Sequence, residues 1–141
     1  MSHYDDLGGE APLRAILRDF YGRVFADPMI GYLFVGQDPA RLAELEFQLT
    51  AKILGGPVQY TGRGMRAAHA AHAIRRGHFH RRNQLLLDTL TAHGAPPAVI
   101  EAWMRHARAL ERAVLAPRDR ADRACDSDLP PDPTAGVREY R

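Results

Sequence analysis

The sequence predicts an all-α domain, and three observations carry that prediction. Apolar residues recur with the helical period over four long stretches, and proline, aspartate and glycine signals bracket those stretches at both ends. Between them there is no convincing strand, no internal repeat and no low-complexity block. At 141 residues the chain is long enough for one domain with a sizeable core.

Taken in order, Tyr4-Asp5-Asp6-Leu7-Gly8-Gly9 reads as a turn-rich lead-in. From Ala11 to Ala26 the positions Leu13, Ile16, Leu17, Phe20, Tyr21, Val24 and Phe25 form one apolar face. Pro12 suits the first turn of that helix, and Asp27-Pro28 ends it, because proline disfavours helical geometry in the residue before it. Met29 to Phe34 is a short apolar piece of one or two turns. Asp38 is the N-cap and Pro39 the first residue of a second helix, which runs to about Leu54 with Leu42, Leu45, Leu49 and Ile53 as its stripe. Gly55-Gly56-Pro57 stops it. A third helix begins near Arg75, carries Phe79, Leu85, Leu86, Leu87 and Leu90, and stops at His93-Gly94. Pro96-Pro97 opens the last, whose inner face is Ile100, Trp103, Met104, Ala107, Leu110 and Val114. The expected domain is residues 1–115. From Ala116 to Arg141 the segment is rich in Arg, Asp and Pro, and is expected to be a disordered or loosely attached tail.

The totals exclude several function classes. A formal net charge of +2 is small, and although the pI is near 9.0, the arginines are scattered without a basic block interleaved with aromatics. Neither a nucleic-acid nor a membrane partner is expected, since no apolar run is long enough to span a bilayer. No leader pattern opens the sequence, so a cytoplasmic location is the expectation. The single cysteine, Cys125, excludes an internal disulfide and a cysteine-based zinc site.

The stretch Tyr60 to Phe79 is the most informative. Two glycines loosen its start, and alanines surround His69 and His72, which share a face if the stretch is helical. Small neighbours let a flat group approach the backbone, and one imidazole suffices to hold a haem iron. Alone, the stretch reads better as an alanine-rich helix with solvated histidines.

The pieces Tyr4-Asp5, Gly8-Gly9, Asp19-Phe20-Tyr21, Asp27-Pro28, Phe34, Gly55-Gly56-Pro57, Tyr60-Thr61-Gly62, Met65, His69 and His78-Phe79 occur in the order and spacing of a truncated haemoglobin. The resemblance covers about Tyr4 to Leu115 and is closest to the first group of that family. It implies a short globin fold, a two-over-two helical sandwich around haem b. It further implies that His69 is the proximal iron ligand, with His72 as the rival three residues on. Phe34 resembles the phenylalanine that packs flat on the porphyrin, and Tyr60 and Met65 resemble residues at the haem edge. Tyr21 stands where the family places a phenol over the opposite haem face. Leu42 and Glu46 stand at the two distal-helix positions that flank the ligand. Glu46 departs from the pattern, because relatives carry a neutral group there; it is expected either to face the ligand or to swing to solvent or a nearby arginine. Arg63, Arg66, Arg75 and Arg76 are candidate partners for the haem propionates, and His78 is expected to be a helix-start histidine.

The function this implies is reversible binding of O2, CO or NO at the iron, with an unidentified reductant, in a monomer or weak homodimer. Nitric-oxide dioxygenation and peroxide turnover are both open from such a site. The competing reading is a haem-free helical interaction module that uses its basic surface.

Overall fold

The computed structural model describes residues 1–62 and 74–125, with side chains through Leu115. Met65, His69, His72, Arg63, Arg66 and the last sixteen residues of the expected tail lie outside the described residues. The elements are α1 (His3–Leu7), α2 (Glu10–Ala26), a 3-10 turn (Gly31–Phe34), α3 (Pro39–Ile53), α4 (Arg76–Ala92) and α5 (Pro97–Cys125). Among the described residues there is no strand, and no helix is long and apolar enough to cross a membrane.

Three elements differ from the sequence expectation. The lead-in is a helix, because Ser2 and Asp5 cap each other. The Asp5 N–H donates to Ser2 Oγ at 3.1 Å, and the Ser2 N–H donates to the Asp5 carboxylate at 3.4 Å. Gly8, at φ 108°, ends that helix in a left-handed conformation that favours glycine. The second difference is in α3, whose start is as expected, with Asp38 accepting from the Ala40 N–H at 3.0 Å. Its core face, however, is Phe47, Thr50 and Ala51, continued by Leu54 beyond the helix end, while Leu42, Leu45 and Leu49 are only half-buried. The helix thus carries two apolar faces, one in the core and one turned elsewhere. Third, α5 does not stop at Ala116 but continues to Cys125. Pro117 removes one backbone donor, while the arginines and alanines that follow are good helix formers and sustain the helix beyond it.

Helix α2 packs against both α3 and α4, α4 packs against α5, and α1 crosses onto α5. The result is the two-over-two sandwich, with α2–α3 as one pair and α4–α5 as the other. Arg14 stitches α2 to α3, with its guanidinium 3.9 Å from the centre of the Phe47 ring and 2.6 Å from Glu44. At the other end of α2, the Asp27 carboxylate accepts from the N–H groups of Met29 and Ile30 at 3.0 and 3.1 Å. It also accepts two bonds from Arg81 of α4 at 3.0 and 2.7 Å. The main core gathers Leu13, Leu17, Phe20, Leu86, Leu90, Val99 and Trp103, all at most 3% exposed. A second, small cluster holds Phe79, Val114 and Leu115, with Ile74 against it. Between the two clusters lies a cavity.

Candidate functional site

The cavity has a volume of about 500 Å3 and is walled by every long helix of the sandwich. Helix α2 contributes Phe20, Tyr21 and Val24, and the 3-10 turn contributes Leu33 and Phe34. Leu42, Leu45 and Glu46 of α3 form the facing wall, which accounts for the second apolar face of that helix. Phe79 and Arg82 of α4 and Leu110 and Val114 of α5 close the far side. A mostly apolar cleft of this size with a few convergent polar groups suits a small molecule or cofactor.

Of the residues singled out in the sequence, Tyr21, Phe34, Leu42, Glu46 and Tyr60 all line this cavity. The Phe34 ring is fixed by Phe25, 5.5 Å away, and Phe25 in turn lies edge-on to Tyr21 at 6.5 Å. Tyr60 is held in place through its neighbour. Gln48 Oε1 accepts from both the N–H and the hydroxyl of Thr61 at 2.9 Å, pinning the loop onto α3. His69 and Met65 fall outside the described residues, but the segment that contains them starts and ends at the cavity, since Gly62 and Ile74 both line it.

The polar side of the cavity holds a residue that the sequence reading passed over. Arg82 of α4 donates through Nη2 to Glu46 Oε1 at 2.9 Å and through Nη1 to Asn83 Oδ1 at 3.0 Å. Its guanidinium lies 5.2 Å from the centre of the Phe20 ring. The side chains of Glu46 and Arg82 are 14% and 19% exposed, so the pair sits largely out of water. Glu46 therefore lines the cavity and pairs with an arginine at once. The Tyr21 phenol is pushed up strongly, chiefly by burial and then by the negative charge of Glu46, which disfavours the phenolate. Beyond the pair, His106 of α5 is pushed down by burial, and its Nε2 is buried without a partner among the described residues. One signal for Arg82 is present in the sequence: three residues after Phe79 and four before Leu86, it falls on the inward face of α4.

His78 is a helix-start histidine, as expected, and also reaches the cavity rim. Its Nδ1 accepts from the Arg75 N–H at 3.0 Å, so in the neutral ring Nε2 carries the proton and donates to Tyr32 Oη at 3.0 Å. Burial and the nearby Arg75 push its pKa down, which favours this neutral form. Arg75 and Arg76 do not line the cavity, whereas Arg41, exposed at the start of α3, does.

Comparison with known proteins agrees with this fold. Residues 2–116 match the family model described as bacterial-like globin. The group 1 truncated hemoglobin GlbN of Mycolicibacterium paratuberculosis is 36% identical over 99 residues, covering 70% of this chain and 73% of that protein. The group 1 truncated hemoglobin of Tetrahymena pyriformis is 32% identical over 97 residues, covering 69% and 80%. Its crystal structure in the Fe(III) form superposes with a TM-score of 0.72 at 28% identity, covering 81% of this chain and 97% of that one. The 2/2 hemoglobin of Synechococcus sp. PCC 7002, solved in the cyanomet state with covalently attached heme, gives 0.77 at 27% identity, covering 82% and 99%. The chain belongs to the bacterial-like globins, and among them to the group 1 truncated haemoglobins.

Proposed function

We propose that the cavity between α2, α3, α4 and α5 is the haem site, with His69 as the proximal ligand and Tyr21, Glu46 and Arg82 on the distal side. Haem is the cofactor of this family, and reversible binding of small ligands is its shared function. The observation that carries the assignment is the placement of Gly62 and Ile74. Both line the cavity, and the eleven residues between them include His69 and Met65. The fit is chemical as well. Leu42, Leu45, Phe34 and Val114 offer apolar walls to a porphyrin, and Arg41, exposed at the rim, is a partner for its carboxylates.

When bound, haem would supply an iron able to take a small ligand. The chain supplies the surroundings of that iron. Leu42 and Leu45 exclude water, and Phe34, Tyr60 and Met65 hold the ring edge and plane. Tyr21 and Arg82 are hydrogen-bond donors toward a polar diatomic such as O2, and Glu46 orients Arg82. A second reading, peroxide turnover, is favoured by the Glu46–Arg82 pair, in which a carboxylate able to take a proton stands 2.9 Å from a guanidinium able to hold an anion.

The test is the visible spectrum of the ferrous protein with and without CO, in the native chain and in His69→Ala and His72→Ala. Loss of haem, or a changed spectrum, only in His69→Ala is the expected result. Equal loss from both variants, or loss only from His72→Ala, overturns the proximal assignment. A protein that stays colourless after haem is added overturns the haem site itself.

A further inference from the structure

Resting on the haem reading, we infer that the Glu46–Arg82 pair makes the distal cavity a site for small inorganic weak acids, HX. The proton goes to the Glu46 carboxylate, and the anion X− is held by the Arg82 guanidinium and the Tyr21 hydroxyl.

The charges around the pair lead to this. Arg82 is a cation in the cavity wall, and its contacts with Glu46 and Asn83 engage one proton on each terminal nitrogen. A guanidinium has five N–H donors, so three are left for other partners beside the ligand seat. An anion entering alone would meet Arg82 and Glu46 together, with no net attraction. Entering with its proton, it converts Glu46 into a neutral acid, and Arg82 exchanges one counter-anion for another. The same step weakens the pull of Glu46 on the Tyr21 hydroxyl, because a neutral carboxyl is a poorer acceptor than a carboxylate. The step balances: the H–X bond breaks, Glu46 gains the proton, X− keeps the electron pair, and no oxidant or reductant is required.

Other titratable groups also surround Glu46. Tyr21 from α2 is a donor held protonated by burial. Arg82 from α4 is its ion-pair partner at 2.9 Å. His106 from α5 is pushed down by burial, opposed by the Glu46 charge and aided by Arg82, and is the rival proton acceptor. Tyr60, from the loop, is a phenol on the same wall.

The experiment is a titration of the ferric holoprotein with sodium azide and with sodium fluoride, followed by the visible spectrum. It is run at several pH values above the pKa of either free acid and below any at which the ferric spectrum itself changes. Both ligands are anions in solution over this range, so binding must take up one proton. The apparent Kd of the native protein should then rise roughly tenfold per pH unit. Glu46→Gln, which keeps an oxygen for Arg82 but cannot take the proton, should flatten that slope. Arg82→Gln should weaken binding at every pH by at least roughly tenfold, the loss of one charge-assisted hydrogen bond, while Arg82→Lys recovers part of it. A native slope of zero overturns the inference. A slope kept in Glu46→Gln but lost in His106→Gln moves the proton to His106 and also overturns it. Failure to form a ferric haem spectrum in the native protein refutes the haem site instead, before any anion is added.

Discussion

Replacing Asp27 with asparagine should destabilise the fold by about 2 kcal/mol, and replacing it with alanine by about 4 kcal/mol. The difference follows from how its two oxygens are used. One accepts both bonds from Arg81, and the other accepts from the Met29 and Ile30 N–H groups. Asparagine can keep only one of these oxygens as an acceptor. It will keep the one facing the turn, because the Ile30 N–H is buried, whereas the Arg81 side chain is 33% exposed and can rehydrate. The loss is then two charge-assisted bonds, discounted for that exposure. Alanine forfeits the turn bonds as well and leaves the Ile30 donor unsatisfied. At roughly 4 °C per kcal/mol for a chain of this length, the melting temperature of the holoprotein should fall by about 8 and 16 °C. The pH dependence has a definite sign. Arg81 and the two backbone donors hold the Asp27 carboxyl below its ordinary range. Its stabilisation is therefore complete above the ordinary carboxylate range and is lost as pH falls through the lowered value. The gap between native protein and Asp27→Asn should narrow on acidification in far-UV circular-dichroism melts. A neutral-pH difference below about 0.5 kcal/mol, within the range of an ordinary surface substitution, or a gap that does not change with pH, would refute the reasoning.

Tyr21→Phe should speed O2 dissociation by roughly one to two decades, with a much smaller effect on the less polar CO, measured by stopped-flow displacement; equal effects on the two gases would point to a steric change. Gly62→Ala should lower haem retention and stability by about 1–3 kcal/mol, since a Cβ there would lie 2.5 Å from Tyr60 Oη and 2.9 Å from Leu45 Cδ2, both residues of the cavity wall; haem transfer to an acceptor globin at an unchanged rate would count against it. Tyr32→Phe should remove the bond to His78 and reduce stability by about 0.5–1.5 kcal/mol, read by urea titration. A chain stopped after Cys125, where α5 ends, should keep its haem affinity and ferrous-CO spectrum; haem loss on truncation would show that the remaining residues support the site.

Much of this molecule is written in local signals. Asp27-Pro28, Asp38-Pro39, His93-Gly94 and Pro96-Pro97 mark helix ends because each acts on its own backbone, and α2, α3, α4 and the start of α5 appear where those signals put them. The helix α1 is legible too, in the Ser2–Asp5 spacing, although the glycines that follow it are turn signals. What a single sequence withholds is which of two apolar faces meets protein. Leu42 and Leu45 look like core by period, yet Phe47 and Ala51 take the core and the leucines line the cavity. The Glu46–Arg82 pair was hidden for a related reason. The residues lie 36 apart in sequence, on helices whose relative rotation is set by packing, so nothing local ties the acid to its arginine.

The two-faced helix α3 also bears on how the protein is maintained in a cell. Its inner face is sealed by the chain itself, but the Leu42–Leu45 face gains its full burial only from what fills the cavity. A cofactor that binds the folded state alone adds stability in proportion to the logarithm of its concentration over its Kd, about 4 kcal/mol at a thousandfold excess. Against a total stability of about 5–15 kcal/mol, that increment is a large share. Chains made when haem is scarce should open more often and be degraded sooner, so the steady-state amount of this protein becomes a gauge of the haem supply.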